Sequence, residues 1–512
     1  MKKKRALLSV WDKSGLVPLA QGLVDLGFDI ISTGGTAQLL REAHIPVAGV
    51  EEITGFPEVM AGRVKTLHPH IHGGILMRRD HAGDVERAIS LSISPIDLVC
   101  VNLYPFAATV EREHTLGEAV EHIDIGGPAL IRAAAKNHAF VTVVTNPLQY
   151  DAVLGELRAQ GEVTPETRRR LAVEGFLHTA YYDSTVSLYF HRAYGLTSFP
   201  RELGLPMKLN MTLRYGENPH QAGAYYHSPG DWGGLPSARQ LQGKELSYCN
   251  INDVSAALTV LQEFAPPAAV AIKHTNPCGV AVADCILTAY AKAYAADEVS
   301  IFGGIIALNR EVDLPTAQLL NQTFLEVVVA PSFSAAASEL LSKKRNLRLL
   351  EVGLKQGDVV YPEWDVRRVQ GGYLLQTPDV VGSSRNWRVV TSVLPTDSQL
   401  DDLKLAWHVV RHVSSNAIVL AKDGATVGIG VGQTNRIDAA MQAIKRAGVR
   451  ARGAVLASDA FFPMPDALEE CAAAGIAAVI QPGGSMRDSD SLAVAERAGM
   501  AMIYTGERHF RH

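Results

Sequence analysis

The sequence predicts an α/β protein of two to four domains, and three observations carry that reading. Over the first 150 residues, short apolar runs alternate with stretches whose apolar residues recur every three or four positions. At 195–206, Gly195, Pro200, Gly204 and Pro206 fall within twelve residues and mark a linker. The chain has 512 residues, 47% hydrophobic and 20% charged, enough apolar material for several cores at about 150 residues per domain.

Each element follows in order. Arg5 to Val10 is a short apolar strand, and Leu16, Leu19, Ala20, Leu23 and Leu26 then recur at helical spacing up to Gly27. Phe28 to Ser32 reads as a strand, Thr33-Gly34-Gly35-Thr36 as a turn, and Ala37 to Ala43 as a helix. Leu98 to Leu103 and Phe140 to Thr145 add two strands. Strands alternating with helices imply a parallel sheet with covered faces and ligands outside its carboxyl edge. Thr164 to Tyr194 is a long helical stretch that ends at the linker. Past it, Ala268 to Ile272 is a buried strand, and Phe302 to Leu308 and Glu326 to Ala330 look like its neighbours. A second cycle starts near Leu400: a helix to about His412, strand Ala417 to Lys422, turn Asp423-Gly424, a strand, and a helix from about Ile437. Strands Ala454 to Ser458 and Ala477 to Gln481 complete it. The cycles at about 250–335 and 400–512 suggest a duplication without a literal repeat.

Composition narrows the function classes. Lys plus Arg total 48 and Asp plus Glu 53, a net charge of −5, so nothing in the bulk charge attracts nucleic acid or an anionic membrane. Any basic site must be local. No apolar run nears the ~18 residues of a membrane helix, and the apolar stretch after Lys2 to Arg5 is too short for a signal peptide. Five scattered cysteines read as reduced thiols, which points to the cytoplasm.

Local clusters supply the chemistry. Thr33-Gly-Gly-Thr36 between a strand and a helix start suits an anion, through backbone approach and the helix dipole, or is simply a capped turn. Arg63 and Lys65 face one side if their segment is extended, a fork and a point charge for phosphate beside that turn, or a solvated basic loop. His68, His70 and His72 alternate, but Pro69 and the lack of nearby Cys or clustered carboxylates argue against a metal. Asp124 and Lys136 bracket a short helix and, taken alone, read as its cap and its dipole complement. Lys273-His274 closing a buried strand is an active-site layout, with His274 suited to general base catalysis. A zinc deaminase would need P-C-x-x-C, whereas Pro277-Cys278 is followed by Gly-Val-Ala and Cys285 stands too far on.

Together the motifs resemble the family of bifunctional AICAR transformylase/IMP cyclohydrolases from end to end. The matching strings include Ser9-Val-Trp-Asp-Lys13, Ser32-Thr-Gly-Gly-Thr36, Gly62-Arg-Val-Lys-Thr-Leu-His-Pro69, Asn102-Leu-Tyr-Pro-Phe106, Ile123-Asp-Ile-Gly-Gly127 and Arg132-Ala-Ala-Ala-Lys-Asn-His138. Leu213-Arg-Tyr-Gly-Glu-Asn-Pro-His-Gln221, Lys273-His-Thr-Asn-Pro-Cys-Gly279, Ser415-Asn-Ala417, Ser458-Asp-Ala-Phe-Phe-Pro463, Gln481-Pro-Gly-Gly-Ser485 and Arg508-His-Phe-Arg-His512 continue the series. The resemblance implies a methylglyoxal-synthase-like cyclohydrolase domain over 1–194, a linker at 195–206, and a transformylase domain over 207–512. The latter would be two deaminase-like subdomains, at about 207–390 and 391–512. It implies formyl transfer from 10-formyltetrahydrofolate to AICAR, then cyclisation of formyl-AICAR to IMP with loss of water. It also implies a homodimer with a shared transformylase site, no transition metal, and room for a structural monovalent cation.

Site roles follow from the same resemblance. Trp11, Asp12, Lys13, Thr33, Gly34, Gly35, Thr36, Arg63, Thr66 and Asn102 would hold the nucleotide of the cyclohydrolase site, and Lys65, Tyr104, Asp124 and Lys136 would run ring closure. Arg214 and Tyr215 would contact AICAR, Lys273 and His274 would move protons, and Asn416 would orient the formyl group. Gly303, Glu326, Arg436, Phe461, Asp466 and Arg508 would line the second pocket. Trp11, Glu326 and Thr434-Asn435 depart from the family pattern. Lys273 and His274 point oppositely on a regular strand, so the strand must end by Lys273 if both serve one site.

Overall fold

A computed structural model describes residues 3–229, 234–353, 364–380 and 386–512. The chain divides into two compact units, Met1–Lys208 with His227–Gly230, and Leu209–Tyr226 with Asp231–His512.

In the first unit β1 (Lys4–Val10), β2 (Phe28–Ser32), β3 (Val47–Gly49), β4 (Leu98–Asn102) and β5 (Thr142–Val144) form an all-parallel sheet in the order β3-β2-β1-β4-β5. Helices cover both faces, so β1 is buried continuously through Ala6, Leu7 and Leu8 instead of alternating. The chain runs outward from β1 through β2 to β3, then returns to β4 on the other side. The β1/β4 gap is therefore the topological switch point, where ligands of such sheets bind. The helix Pro165–Ala193, started by Thr164 accepting from Thr167 N at 3.2 Å, packs along the helix Gly126–Lys136. No helix or strand occupies 195–207.

In the second unit β6 (Lys208–Leu213) and β7 (Gly223–His227) form a two-stranded sheet at its start, and β8 (Arg239–Gln242) opens the main sheet. β9 (Ala268–Lys273), β10 (Asn276–Val282), β11 (Ile305–Leu308), β12 (Val327–Ala330) and β13 (Arg348–Glu351) complete one half of that sheet. A hairpin, β14 (Asp365–Val369) and β15 (Gly372–Gln376), intervenes. The other half is β16 (Arg388–Val389), β17 (Ile418–Lys422), β18 (Ala425–Gly430), β19 (Val455–Ser458), β20 (Ala478–Gln481) and β21 (Ala501–Tyr504). The twelve strands run β16-β21-β20-β19-β17-β18-β10-β9-β11-β12-β13-β8, an order that reads the same from either edge.

The duplication is structural throughout. The helices Tyr248–Leu261 and Asp397–Val410 are both 14 residues long and start 149 positions apart, each behind a capping box, Ser247/Asn250 and Thr396/Gln399. Gly279 and Gly428, also 149 apart, let a helix lie directly on β10 and β18, where a Cβ would collide with the Ala293 and Ala443 carbonyls. The expected strand at 302–308 is shorter, Ile305–Leu308, because Gly303 turns with φ 72°.

The two halves meet at a buried charge. Glu263 accepts from His408 at 2.9 Å and His412 at 3.3 Å and pairs with the Arg411 guanidinium. Burial pushes the Glu263 carboxyl up, but the two imidazole hydrogen bonds and the Arg411 charge outweigh it and hold it well below the carboxylate range. Burial likewise lowers His412. Both shifts favour folding above the ordinary titration ranges and are lost as pH falls through them. Glu263→Gln is therefore expected to cost about 3–5 kcal/mol at pH 7. The loss of stability that the parent suffers from pH 7 to pH 4 should be flatter in the variant, as read by urea midpoints.

Candidate functional site

The first unit opens a cavity of ≈ 560 Å³ at the switch point, within the range of small-molecule sites. It is lined from the carboxyl ends of β1 and β4, the start of the helix Gly34–Glu42, the 62–67 segment and the start of the helix Gly126–Lys136. Thr33 does not cap its helix. Its Oγ1 meets Ser9 Oγ at 2.9 Å instead, while intrahelical bonding begins with Thr36 N and Ala37 N donating to Thr33 O. The amides of Gly34 and Gly35 thus face the open end of the helix, the positive end of its dipole. Two ammonium groups flank them. A Cβ built on Gly34 would lie 3.5 Å from Lys65 Nζ, and one on Gly35 3.9 Å from Lys13 Nζ. Arg63 also lines the cavity and pairs with Glu121, and Lys65 pairs with Glu58 at 3.1 Å.

Asp124 lines the same cavity. Its Oδ1 accepts from Gly127 N at 2.8 Å, and its own amide donates to Tyr182 Oη at 2.7 Å. Burial raises the Asp124 carboxyl; the backbone bonds and Lys65 only partly oppose this, so its proton is held nearer neutrality than usual. Trp11 and Tyr104 meet edge to face at 5.2 Å on the wall. Asn102 accepts from the amides of Trp11 and Asp12 at 2.6 and 2.9 Å and donates to Asp12 O, so its side chain shapes the loop after β1.

The second cluster sits where β9 turns into β10. β9 ends at Lys273, and His274 and Thr275 form the two-residue turn with φ 53° and 61°. Asp253 accepts from both turn amides, His274 N at 3.2 Å and Thr275 N at 2.7 Å, and Lys273 Nζ donates to Phe302 O at 2.7 Å. Asn276 Oδ1 accepts from Ser414 N at 3.0 Å, which ties this turn to the loop carrying Asn416. Asn416 donates to Gln433 O at 2.9 Å and accepts from Arg436 Nη2 at 2.7 Å. Arg436 also holds Asp459, whose other oxygen takes the Ser415 hydroxyl, both at 2.5 Å. Neither Asp253 nor Asp459 has a local sequence signal; the resemblance strings contain Asp459 but assign it nothing.

Several expected positions fall elsewhere. Lys136 is exposed at the C-terminal end of the helix whose N-terminus lines the cavity, ten residues or about 15 Å further on, and does not join Lys65, Tyr104 and Asp124. Asp12 is exposed, takes Ser14 N at 2.9 Å and does not line the cavity. Thr36 and Thr66 both line the cavity and are buried, but Thr36 spends its hydroxyl on Val10. Arg436 is buried and pairs with Asp459. The histidines lie on the helix Pro69–Leu76 and its cap, where the His68 and His70 rings meet edge to face at 5.0 Å, and Arg63 leaves a 3₁₀ turn instead of an extended run. Glu326 pairs with Arg348 at 2.8 Å, and Gly303 follows Phe302, whose ring stands 5.4 Å from Phe324. Arg214 stacks over Tyr215 at 4.7 Å, and Arg508 over Phe510 at 4.8 Å. Among the described residues no hydrogen bond joins Arg214, Tyr215, Phe461, Asp466 or Arg508 to Lys273 or His274. No group of three or more His, Cys, Asp or Glu among them could hold a metal ion, and no helix is long and apolar enough to cross a membrane.

Known proteins place this geometry in context. A family model described as AICARFT/IMPCHase bienzyme matches residues 134–446, and one described as MGS-like domain matches 15–129. A bifunctional purine biosynthesis protein PurH of Bacillus cereus (strain B4264) is 53% identical over 513 residues, covering 100% of both chains. PurH of Thermoanaerobacter sp. (strain X514) is 53% identical over 511 residues, covering 99% of this chain and 100% of its own.

Arg436–Asp459 and Arg348–Glu326 should respond differently to mutation. Arg436→Met leaves the fully buried Asp459 without its counter-charge and is expected to cost about 3–5 kcal/mol. Glu326→Gln breaks a pair whose carboxylate is 38% exposed, and should cost no more than about 1 kcal/mol. Urea denaturation of both variants checks the contrast.

Proposed function

The chain belongs to the AICARFT/IMPCHase bienzyme family, and from that membership we propose how its two units divide the work. The enzyme is an AICAR formyltransferase and IMP cyclohydrolase, acting in the last two steps of purine nucleotide synthesis with 10-formyltetrahydrofolate as formyl donor. One observation carries the assignment of sites: the cationic cavity and the Lys273-His274 turn lie in different compact units and differ in chemistry. The cavity suits ring closure of a phosphorylated nucleotide, and the turn suits formyl transfer.

Formyl transfer joins the 5-amine of AICAR to the formyl carbon and releases tetrahydrofolate. That amine is a poor nucleophile, since its lone pair is delocalised into the ring and carboxamide. A base must take its proton during attack, and N10 of the folate must gain one as it leaves. His274, exposed at the turn, is the base. Lys273, the residue before it, supplies a cation with one hydrogen of its ammonium already committed to Phe302, and Asn416 is the amide that orients the formyl group. In the cavity, the phosphate sits on the Gly34-Gly35 amides between Lys13 and Lys65. The carboxamide nitrogen attacks the formyl carbon, the oxygen gains protons and departs as water, and Lys65 with Tyr104 stabilises the oxygen's developing charge. Asp124, with its raised carboxyl, carries the proton between them.

The same reading takes the enzyme to be a cytoplasmic homodimer whose transformylase site is shared between subunits, with cyclohydrolase domain 1–194 and transformylase domain 207–512. Its support is the family membership. Light scattering of the active enzyme should return the mass of two chains.

Paired variants test the division. His274→Ala should lower formyl transfer by about 10²–10⁴ and leave cyclisation of supplied formyl-AICAR unchanged. Lys65→Met should do the reverse. Loss of both activities in either stably folded variant would overturn the assignment.

A further inference from the structure

We propose that Asp253 is a positioning residue for His274, an inference that rests on reading the 273–276 turn as the formyl-transfer site. The turn is conformationally unfavourable as written. Two-residue hairpin turns with both φ angles positive prefer Asn-Gly or Asp-Gly, yet His274 and Thr275 adopt φ 53° and 61°. A β-branched residue there is an outlier, and such backbone persists only where its surroundings enforce it. The enforcing group is the Asp253 carboxylate, one oxygen on each turn amide, at 3.2 and 2.7 Å.

The second half of the unit supplies an internal control. Asp402, 149 residues after Asp253, accepts from Asp423 N at 3.0 Å and Gly424 N at 2.7 Å in the turn between β17 and β18. The sequence separations, 21 and 22 residues, are the same in both halves. Even the lysine before the turn is matched: Lys273 Nζ donates to Phe302 O at 2.7 Å, and Lys422 Nζ to Arg452 O at 2.9 Å. There, however, the turn is Asp-Gly with φ 55° and 76°, the sequence that adopts this conformation unaided. The fold thus uses one device twice. In the second half the carboxylate holds a relaxed turn with no imidazole; in the first it holds a strained turn that presents His274.

The two carboxylates therefore separate structural support from positioning. An Asn at either site keeps one acceptor and sets an amide donor against the other N–H. In Asp402→Asn the turn keeps its shape by local preference. In Asp253→Asn the His-Thr turn relaxes and the imidazole moves from the place set by Asn276 and Ser414, and a displacement of about 1 Å can cost about 10²-fold in rate.

The experiment compares Asp253→Asn, Asp402→Asn and His274→Ala in the full-length enzyme, with kcat and KM measured for formyl transfer. Asp253→Asn is expected to lower kcat by about 10²-fold with KM for AICAR and for 10-formyltetrahydrofolate little changed, and Asp402→Asn to keep parental kcat. If His274→Ala transfers formyl normally, the site reading fails. If His274→Ala is inactive but Asp253→Asn keeps parental kcat, loses rate only through KM, or matches Asp402→Asn, the positioning role fails. Should Asp253→Asn not fold, Thr275→Gly in the same chain removes the left-handed strain and restores folding. In that double variant the turn holds its shape by local preference, as Asp423-Gly424 does, so kcat should lie near the parental value, and a kcat still about 10²-fold down would overturn the proposal.

Discussion

Glu263 is the charge on which the second unit closes. It occupies the position 149 residues before His412, so equivalent points of the two halves meet at the seam, and the meeting is between a carboxylate and an imidazole. A carboxylate this buried costs several kcal/mol unless it is paired and hydrogen-bonded, and His408, Arg411 and His412 supply both. The helices that end at this seam are the ones whose earlier turns carry Asp253 and Asp402. Fixing their C-terminal ends fixes, through β9–β10 and the 411–416 segment, where His274 lies relative to Asn416. Register at the seam becomes geometry at the sheet edge.

Symmetry of scaffold does not bring symmetry of use. Each half presents a hairpin turn and, at the start of its second hairpin strand's neighbour, a loop: Lys273–Asn276 with 265–267 in one, Lys422–Ala425 with 414–416 in the other. Chemistry-bearing residues occur on the turn of the first half and the loop of the second. Their counterparts are Asp-Gly and Pro266-Pro267, residues that serve shape. The turn of one half and the loop of the other are joined across the seam, with Asn276 Oδ1 accepting from Ser414 N. Asp459 and Asn309 show the same divergence in the core. Asp459 neutralises Arg436 and receives the Ser415 hydroxyl, while Asn309 near the equivalent place bonds Ala268 N and the Phe264 and Pro266 carbonyls.

What the sequence made legible follows from the range of each signal. Periodicity and flanking glycines act locally, so β2 at Phe28–Ser32 and the end of β9 at Lys273 could be read directly, whereas the expected 33–36 turn is the first turn of a helix that begins at Gly34, three residues before the expected Ala37. Partner choice is not local. The antiparallel pairing of β10 with β18 and the even twelve-stranded order have no periodic signature, and the duplication conserved cap spacing and backbone shape while replacing side chains. Asp253 was invisible because its partners lie 21 and 22 residues away and are backbone amides, which no motif names. Lys136 stands away from the cavity for the opposite reason. The motif that carries it is continuous with Asp124 in sequence, but a helix of eleven residues separates the two in space.

The two sites also differ in how they hold their geometry before substrate arrives. At the hairpin, strain is fixed by hydrogen bonds to backbone. In the cavity, charge is fixed by weak ion pairs: Arg63 and Glu121 are each 62% exposed, and Glu58 opposite Lys65 is 47% exposed. Exposed pairs of this kind are worth about 0–1 kcal/mol. They are strong enough to aim two long, flexible side chains into the cavity and too weak to compete with a dianion seated on a helix terminus. On the proposed reading, a phosphate would exchange with these carboxylates at little cost to the cations. In a chain of net charge −5, this attraction is local, set where Lys13, Arg63, Lys65 and the Gly34 and Gly35 backbone line one cavity.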